Sequence, residues 1–340
     1  MTARFRLGVA DQAPVRLGST AREALLETVE LAVLAEQLGY AHYWVAEHHS
    51  LGLASTSPEV LVGQIAGQTE RIRVGSAGVM LTHYSAFKVA ENFRMLESFY
   101  PGRIDLGLGR APGGDMKTAR ALAYPGSLRD VQLYPEQVDD LIAYLANDLP
   151  EGHRFSGLSA GPPVETQPEV WLLGSGVDSA VLAAERGLPF SFAHFFGSTS
   201  EYAPGVCEVY RKRFKPSTAS TEPRPHVALQ VLCAETEAEA WELAESLLFL
   251  RLMAAKQKRR LGLVPPEETK GYSFAPDEKA FIEQSKASLV VGEPEQVRAQ
   301  IEQIADDCRT REVGIVTVCY DREARRRSYQ LVAEAFNLSA

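Results

Sequence analysis

The sequence predicts a closed (β/α)8 barrel, the TIM barrel, in which eight parallel strands are each followed by a helix. Short, almost continuously apolar runs alternate with amphipathic helical segments along the 340 residues. Parallel strands, which are buried on both faces, have this composition. Eight such units favour closure into a barrel. The doubly wound alternative ranks second because the segment after the first strand lacks a GxGxxG fingerprint.

The first half of the chain gives four strands and three helices. Gly39 is a stop signal for the first helix, and Ser57 with Pro58 is a start signal for the second. We predict strands over 5–11, 42–48, 72–81 and 102–110, and helices over 20–40, 57–69 and 85–100.

The second half repeats the pattern and then departs from it. We predict helices over 135–147, 177–187, from about 236, and over 322–337, and strands over 169–174, 188–194, 226–235 and 313–320. An insertion after strand seven, 251–312, is rich in Pro, Gly and charge, with a helix beginning near Pro294. It is either an active-site lid or a surface excursion without a role. We expect residues 1–340 to form a single domain.

Composition excludes several functional classes. The net charge of −9 disfavours nucleic acid and anionic membranes as partners. The four cysteines are far apart in sequence, with no CxxC pair, and predict free thiols in a reducing compartment. No apolar run reaches the length of a membrane span, and the N-terminus has no apolar signal region. We therefore expect a cytoplasmic protein.

Chemically useful side chains gather at the carboxyl ends of the predicted strands. Catalytic groups of (β/α)8 enzymes lie at this end of the barrel. The candidates are Asp11, Glu47, His48, His49, Ala77, Gly78, Arg110, the 174–179 loop and His194.

The segment "GSGVDS", residues 174–179, joins strand five to its helix. Glycines allow close approach of a ligand, and free N–H groups at a helix start favour an anion such as phosphate. The alternative is an ordinary helix cap by Ser175 or Asp178. Arg110, at the end of the neighbouring strand, provides a cationic fork or forms a surface ion pair.

Two adjacent histidines, His48 and His49, end strand two. Neighbouring residues of a strand point to opposite faces, so both imidazoles cannot easily bind one ion, and we expect no metal site. One inward histidine is better suited to proton transfer. A structural role is the alternative for a lone histidine.

Four segments of the sequence, taken together and in order, resemble the bacterial luciferase-like flavin monooxygenases. The resemblance covers roughly residues 4 to 235, from "GYAHYWVAEHHSLGLASTSPEVLVGQIAGQTERIRVGSAGVML" through "KVAENFRMLESFYPGRIDLGLGRAPGGD" to "EVWLLGSGVDSAVLAAERGLPFSFAHFF", and returns at "SLVVGEPEQVRAQI". It implies that His48 is the catalytic histidine and that Ala77-Gly78 is a non-prolyl cis peptide under a flavin ring. It assigns flavin phosphate to Arg110 and the 174–179 loop: Gly174, Ser175, Gly176, Val177, Asp178 and Ser179.

The implied function is a monooxygenase that uses reduced flavin mononucleotide (FMN) and O2, through a flavin hydroperoxide, to oxygenate a small organic substrate. A separate reductase would supply the flavin, loop 111–132 and the insertion would be lids, and the protein would be a homodimer joined by the helices after strands two and three. Substrate-pocket candidates are Asp11, Glu47, His83 and His194. A deazaflavin (F420)-dependent hydride-transfer enzyme and a non-catalytic flavin-binding protein remain alternatives. Luciferase itself has a carboxylate at the position of Ser175 and a serine at Gly176, so the substrate cannot be carried over.

Overall fold

Nine parallel strands form the sheet in the described part of the chain. A computed structural model describes residues 5–50, 52–110, 113–195, 197–256 and 262–339, and for 197–199 the backbone only. The strands are β1 Arg6–Asp11, β2 His42–Val45, β3 Arg73–Met80, β4 Ile104–Gly109, β5 Glu169–Gly174, β6 Phe190–Ala193, β7 Pro225–Cys233, β8 Leu289–Gly292 and β9 Glu312–Val316.

Helices surround this sheet. They are α1 Ala21–Gln37, α2 Pro58–Ala66, α3 Ala86–Phe99, α4 Met116–Ala123, α5 Tyr134–Ala146, α6 Val177–Glu185, α7 Ala203–Arg213, α8 Glu237–Ala255, α9 Pro266–Lys270, α10 Pro276–Lys286, α11 Pro294–Asp307 and α12 Arg322–Ala335. Among the described residues, no helix combines the length and the apolarity needed to span a bilayer.

The predicted barrel is confirmed. Strands β1 to β6 pair in sequence order, β6 pairs with β7, β7 with β9, and β9 with β1, which closes an eight-stranded parallel barrel. The prediction missed β8, which in the described part of the chain pairs with the outer half of β7, from Gln230 to Cys233. Outside the undescribed residues 257–261, the predicted insertion contains α9, α10, β8 and α11, and the helix expected near Pro294 is α11.

One predicted boundary is wrong in a way that affects the site. Strand β2 ends at Val45, so Glu47, His48 and His49 lie in the loop beyond it. The N–H of His48 donates to the carbonyl of Ser55 at 2.9 Å, outside the strand ladder. The loop backbone is therefore fixed by bonds to other loops, which a strand pattern cannot reveal.

Rings and charges fill the lower barrel interior. The imidazole of His42 stacks on Trp44 with 4.1 Å between ring centroids, and His226 lies 5.1 Å from Trp44 and 5.9 Å from Trp171. Buried Asp105 accepts a hydrogen bond from the Trp44 indole at 2.8 Å. These large residues form a closed floor across the barrel.

Small residues line the interior above that floor. Gly107 follows Asp105 by two positions on β4, and Ala46, whose N–H continues the ladder just beyond β2, follows Trp44 by two, so both share the inward face. Ala10, Ala77 and Ala193, near the same ends of β1, β3 and β6, are partly exposed. The carboxyl end of the barrel is thus lined in part by small, partly exposed residues, and we call this end the mouth.

Acid is expected to destabilise the floor. Burial lowers the pKa of His226 from 6.5 to about 3 and holds that of His42 well below its usual value, with His226 and Arg6 adding repulsion at His42. A histidine with a lowered pKa binds its proton more readily in the unfolded chain, so stability is complete above pH 6.5 and falls below it. Burial raises the pKa of Asp105 to about 6, which opposes this loss in part.

Urea unfolding of the parent and of His226→Gln at pH 7, 5.5 and 4.5 measures this effect. The substitution removes the proton site and keeps a hydrogen-bonding group for the Ser191 hydroxyl, which lies 2.7 Å from the His226 Nδ1 atom. At pH 4.5 the acid-induced loss should be smaller in His226→Gln by roughly 3 kcal/mol, at about 1.4 kcal/mol per pKa unit. Identical pH dependence in both proteins would contradict the assignment.

Candidate functional site

The residues after β2 divide between the mouth and the surrounding shell. His42 and Trp44 face the barrel interior, and the N–H of Ala46 continues the ladder to the Asp11 carbonyl at 2.9 Å. Strand geometry ends before His48, so we place its imidazole on the interior side because Glu47 and His49 contact each other away from it. Glu47 and His49 share the opposite side, where the Glu47 Oε1 and His49 Nε2 atoms are 2.8 Å apart.

His48 has an unsatisfied nitrogen at the mouth. Its Nδ1 atom is buried and has no hydrogen-bond partner in the described residues. Burial, followed by the proximity of His49, lowers the pKa of His48 to about 4. The side chain is therefore a neutral imidazole at physiological pH, able to exchange a proton or hydrogen bond with a ligand.

Glu47 fixes the end of β2 to the end of β3. Its carboxylate is buried and accepts hydrogen bonds from the Tyr84 hydroxyl at 2.7 Å and the Met80 N–H at 2.9 Å, besides its contact with His49. Both oxygens are thus used within the protein. Glu47 is therefore an anchor for the mouth and, contrary to the prediction, not a substrate-pocket residue.

The peptide bond between Ala77 and Gly78 is cis, as predicted from the resemblance. It lies where the pairing of β3 with β4 shifts register between Ser76 and Val79. A Cβ atom on Gly78 would come within 2.6 Å of the Gly107 backbone. Glycine is therefore required here by the close approach of two strands.

The start of α6 is not capped by a side chain. Its N-cap residue is Gly176, whereas we had considered a cap by Ser175 or Asp178. The hydroxyls of Ser175 and Ser179 make no hydrogen bond to the described part of the chain. Free N–H groups and free hydroxyls thus meet at one helix start, an arrangement suited to an oxyanion.

Arg110 lies across from this helix start. Its Nη1 atom is 3.7 Å from an oxygen of Asp178, and both side chains are largely exposed. An exposed pair at this distance contributes little to stability. The guanidinium is therefore beside the α6 start and can turn toward an anion there, while Asp178 remains in solvent.

Asp11 is not part of the mouth, contrary to the prediction. It is fully buried, with oxygens accepting from Tyr43 at 2.6 Å, Thr28 at 2.9 Å and Arg325 at 2.5 Å. Burial alone would raise its pKa, but Arg325 and the hydroxyl donors outweigh this and lower it. Asp11 thus joins β1 to α1 and α12 and cannot receive a substrate.

The two other predicted histidines differ in position. His194 follows β6, its Nδ1 atom is buried without a hydrogen-bond partner in the described residues, and burial lowers its pKa. His83 is buried beside His49, with 6.1 Å between ring centroids. Like His48, His194 has a buried nitrogen without a partner among the described residues, so it stays a candidate. His83 instead lies with His49 and Glu47 on the other side of the loop.

Sequence reasoning missed three residues near the mouth. The Ser55 carbonyl holds the His48 N–H, and the Ser55 hydroxyl donates to the Ala46 carbonyl at 2.6 Å. Gln230 in β7 and Arg251 in α8 meet through a side-chain hydrogen bond. Alternation from His226 could have identified Gln230 as inward-facing, but no local pattern connects it to Arg251, which lies 21 residues later in α8.

A separate cavity of about 760 Å³ lies between α8, α9 and α10. Its lining includes Trp241, Phe249 and Phe274 and none of the predicted site residues. The candidate chemistry is therefore at the barrel mouth and does not coincide with this cavity.

Comparison with known proteins identifies relatives along almost the whole chain. The model of the family described as luciferase-like monooxygenase matches residues 5–311. The uncharacterized protein YwcH of Bacillus subtilis (strain 168) is 47% identical over 97% of this chain and 98% of its own. The N-acetyl-S-alkylcysteine monooxygenase of the same organism is 34% identical, again over 97% and 98%.

Solved structures agree with this. The crystal structure of apo-MsnO8 superposes with a TM-score of 0.89 at 37% identity, covering 99% of this chain and 98% of the other. More distant structures share the fold. They include the oxygenating constituent of 3,6-diketocamphane monooxygenase with FMN (TM-score 0.72, 19% identity) and an F420-dependent secondary alcohol dehydrogenase (0.69, 16%).

Proposed function

Because the chain belongs to the luciferase-like monooxygenase family of oxidoreductases, we propose that it binds reduced FMN in the barrel mouth and uses O2 to oxygenate a small organic substrate. The observation that carries this proposal is the uncapped start of α6, with Ser175, Ser179 and Arg110 around it. Those groups suit the flavin phosphate.

The mouth also suits the flavin ring. Small residues line it above the aromatic floor, and a side chain on Gly107 or Gly109 would meet atoms within 2.8 Å. The orphaned Nδ1 atoms of His48 and His194 are buried polar groups that a bound ligand can satisfy. In this proposal the cis Ala77–Gly78 segment supports the ring from one side.

The bound flavin supplies the activation of O2, and the protein supplies position, shielding and proton management. Glu47 holds the loop so that His48 stays at the mouth. His48, neutral because its pKa is about 4, accepts or donates a proton at Nδ1. In this proposal the segment 113–132, which includes α4 and exposes apolar Met116, Tyr124 and Leu128, is the lid that excludes water from the mouth.

Cofactor titration tests the proposal. We expect FMN to bind the purified protein more tightly than F420, because among the described residues Arg110 is the cation paired with the α6 start and Asp178 neighbours it, an arrangement poorly suited to the acidic tail of a deazaflavin. Arg110→Gln should weaken FMN binding about 10-fold, the scale of a charge-assisted hydrogen bond.

Oxygen consumption then separates the alternatives. With FMN reduced by an added flavin reductase, the protein should give substrate-dependent product, and N-acetyl-S-alkylcysteines are first test substrates because a relative is named for them. Tighter binding of F420 with hydride transfer would replace the proposal by the deazaflavin alternative. FMN binding without turnover of any substrate would leave a flavin-binding protein.

A homodimer is part of this proposal. The small residues of α2, which first suggested it, do not form the interface. Gly63 and Gly67 accommodate Leu96 and Tyr100 of the same chain, so these small residues serve internal packing. The exposed apolar residues of α2 and α3 are instead Val60, Met95 and Phe99.

Replacing two of these residues tests the dimer. Light scattering should give a dimer mass for the parent and a monomer mass for Met95→Glu/Phe99→Glu, because two buried carboxylates oppose association. Phe155→Glu, at an exposed aromatic outside α2 and α3, is the control and should remain dimeric. A monomeric parent at micromolar concentration would contradict this part of the proposal.

A further inference from the structure

Arg251 of α8 connects several elements at the top of the barrel through its guanidinium group. Its Nη1 atom donates to the Ser288 hydroxyl at 2.9 Å and the Ser285 carbonyl at 3.3 Å. Its Nη2 atom donates to the Phe195 carbonyl at 3.0 Å and to Oε1 of Gln230. All four acceptors are uncharged.

This arginine has no counter-charge. Throughout the described ranges no carboxylate comes within ion-pair distance of it, and the undescribed positions contain no Asp or Glu side chain. The guanidinium is mostly buried, and burial lowers its pKa without an opposing contribution from an acid. Buried cations are normally paired, so this one calls for an anion from outside the chain.

The guanidinium lies at the mouth. Gln230 follows His226 by four positions on β7, and His226 contacts the floor rings, so alternation directs Gln230 inward near the open end. Phe195, which supplies another acceptor, comes directly after His194 at the end of β6. Arg251 therefore reaches from α8 to the interior face of the barrel.

Free donors remain at this point. Gln230 uses Oε1 to accept from Arg251, and its Nε2 atom makes no hydrogen bond to the described part of the chain. The Nε atom of Arg251 likewise makes no hydrogen bond to the described part of the chain. Neither nitrogen is sealed from solvent in the way that the Nδ1 atoms of His48 and His194 are.

We propose that Arg251 and Gln230 anchor a carboxylate of the substrate, so that the protein acts on small organic acids. This rests on the proposed function, because it places the acid group in the same mouth as the flavin. The Arg251 fork supplies the charge and Gln230 an amide donor, a combination suited to a planar carboxylate. The site differs from the phosphate site because Arg110 and α6 follow β4 and β5, whereas these residues belong to β7 and α8.

Matched pairs of ligands test the proposal without flavin. The full-length protein is titrated calorimetrically with thioether, aliphatic and aromatic carboxylic acids and with the primary amide of each, including N-acetyl-S-benzylcysteine and its amide. The parent should bind at least one acid about 10- to 100-fold more tightly than its amide, the scale of a charge-assisted pair. Absence of an acid preference in every pair would overturn the proposal.

Two variants then locate the preference. Gln230→Glu provides Arg251 with an internal counter-ion, so it should fold normally and lose the acid preference. Arg251→Lys should retain part of it, because the charge stays and the fork is lost. A purely structural role for Arg251 requires instead that Gln230→Glu keep the parent's acid preference, and that result would also overturn the proposal.

Controls separate this proposal from the flavin assignment. Arg298→Gln removes one exposed charge on α11 and should bind acids as the parent does. FMN affinity should be unchanged in Gln230→Glu and reduced in Arg110→Gln. A parent that prefers acids but binds no flavin would refute the proposed function alone, whereas flavin binding without acid preference would refute only the carboxylate anchor.

Discussion

Replacement of His48 by alanine is expected to lower the turnover number by about 10²- to 10⁴-fold, the usual contribution of a positioned acid or base. His48 presents a buried Nδ1 atom without a partner in the described residues, and its backbone is held by Ser55. Flavin affinity should change little, because the phosphate groups are proposed to bind at α6. Single-turnover and steady-state rates of product formation with reduced FMN measure this effect.

The pH profile gives a second measurement. Because the pKa of His48 is about 4, this side chain does not titrate between pH 5.5 and 8. The pH–rate profiles of His48→Gln and of the parent should therefore have the same shape in this range. His49→Gln is the neighbouring control: it disturbs the buried Glu47 network, so it should cost about 1–3 kcal/mol of stability with a smaller effect on turnover. Equal oxygenation rates in His48→Ala and the parent would remove His48 from the mechanism.

Replacement of Asp11 by asparagine is expected to destabilise the fold by about 3–5 kcal/mol, the usual effect of breaking a buried ion pair. The variant keeps the shape of the side chain but leaves Arg325 charged and buried without its carboxylate. Urea unfolding at pH 7 measures the change. Because the pKa of Asp11 is lowered in the folded state, this contribution is complete above about pH 4 and is lost as pH falls through the lowered pKa.

Two comparisons make this result specific. Glu302→Gln breaks an exposed ion pair with Arg298 and should change stability by less than about 0.5 kcal/mol. Asp11→Asn/Arg325→Met removes both charges and should recover part of the loss. If Asp11→Asn were stable but bound substrate poorly, the original prediction of a pocket role for Asp11 would be correct and the structural role wrong.

The barrel and much of its mouth could be predicted because both depend on local signals. Apolar runs gave eight strands, and strand ends gave a rim that includes His48, Arg110 and the 174–179 loop. The resemblance gave the cis bond at Ala77–Gly78. Strand β8 escaped prediction because its apolar run, Leu289–Gly292, is only four residues long and lies in the segment interpreted as an insertion.

The sequence by itself determined the fold class, since burial on both faces of parallel strands leaves a composition that can be counted along the chain. Only the tertiary structure decided which rim residues face the mouth. Asp11 and His48 both end predicted strands, yet Asp11 is bound to Arg325, 314 positions away, and the Nδ1 atom of His48 has no partner among the described residues. Partners so distant in sequence meet only when the barrel closes. The contact of Arg251 with Gln230 spans only 21 residues, but it too depends on how α8 packs against β7, which no local pattern shows.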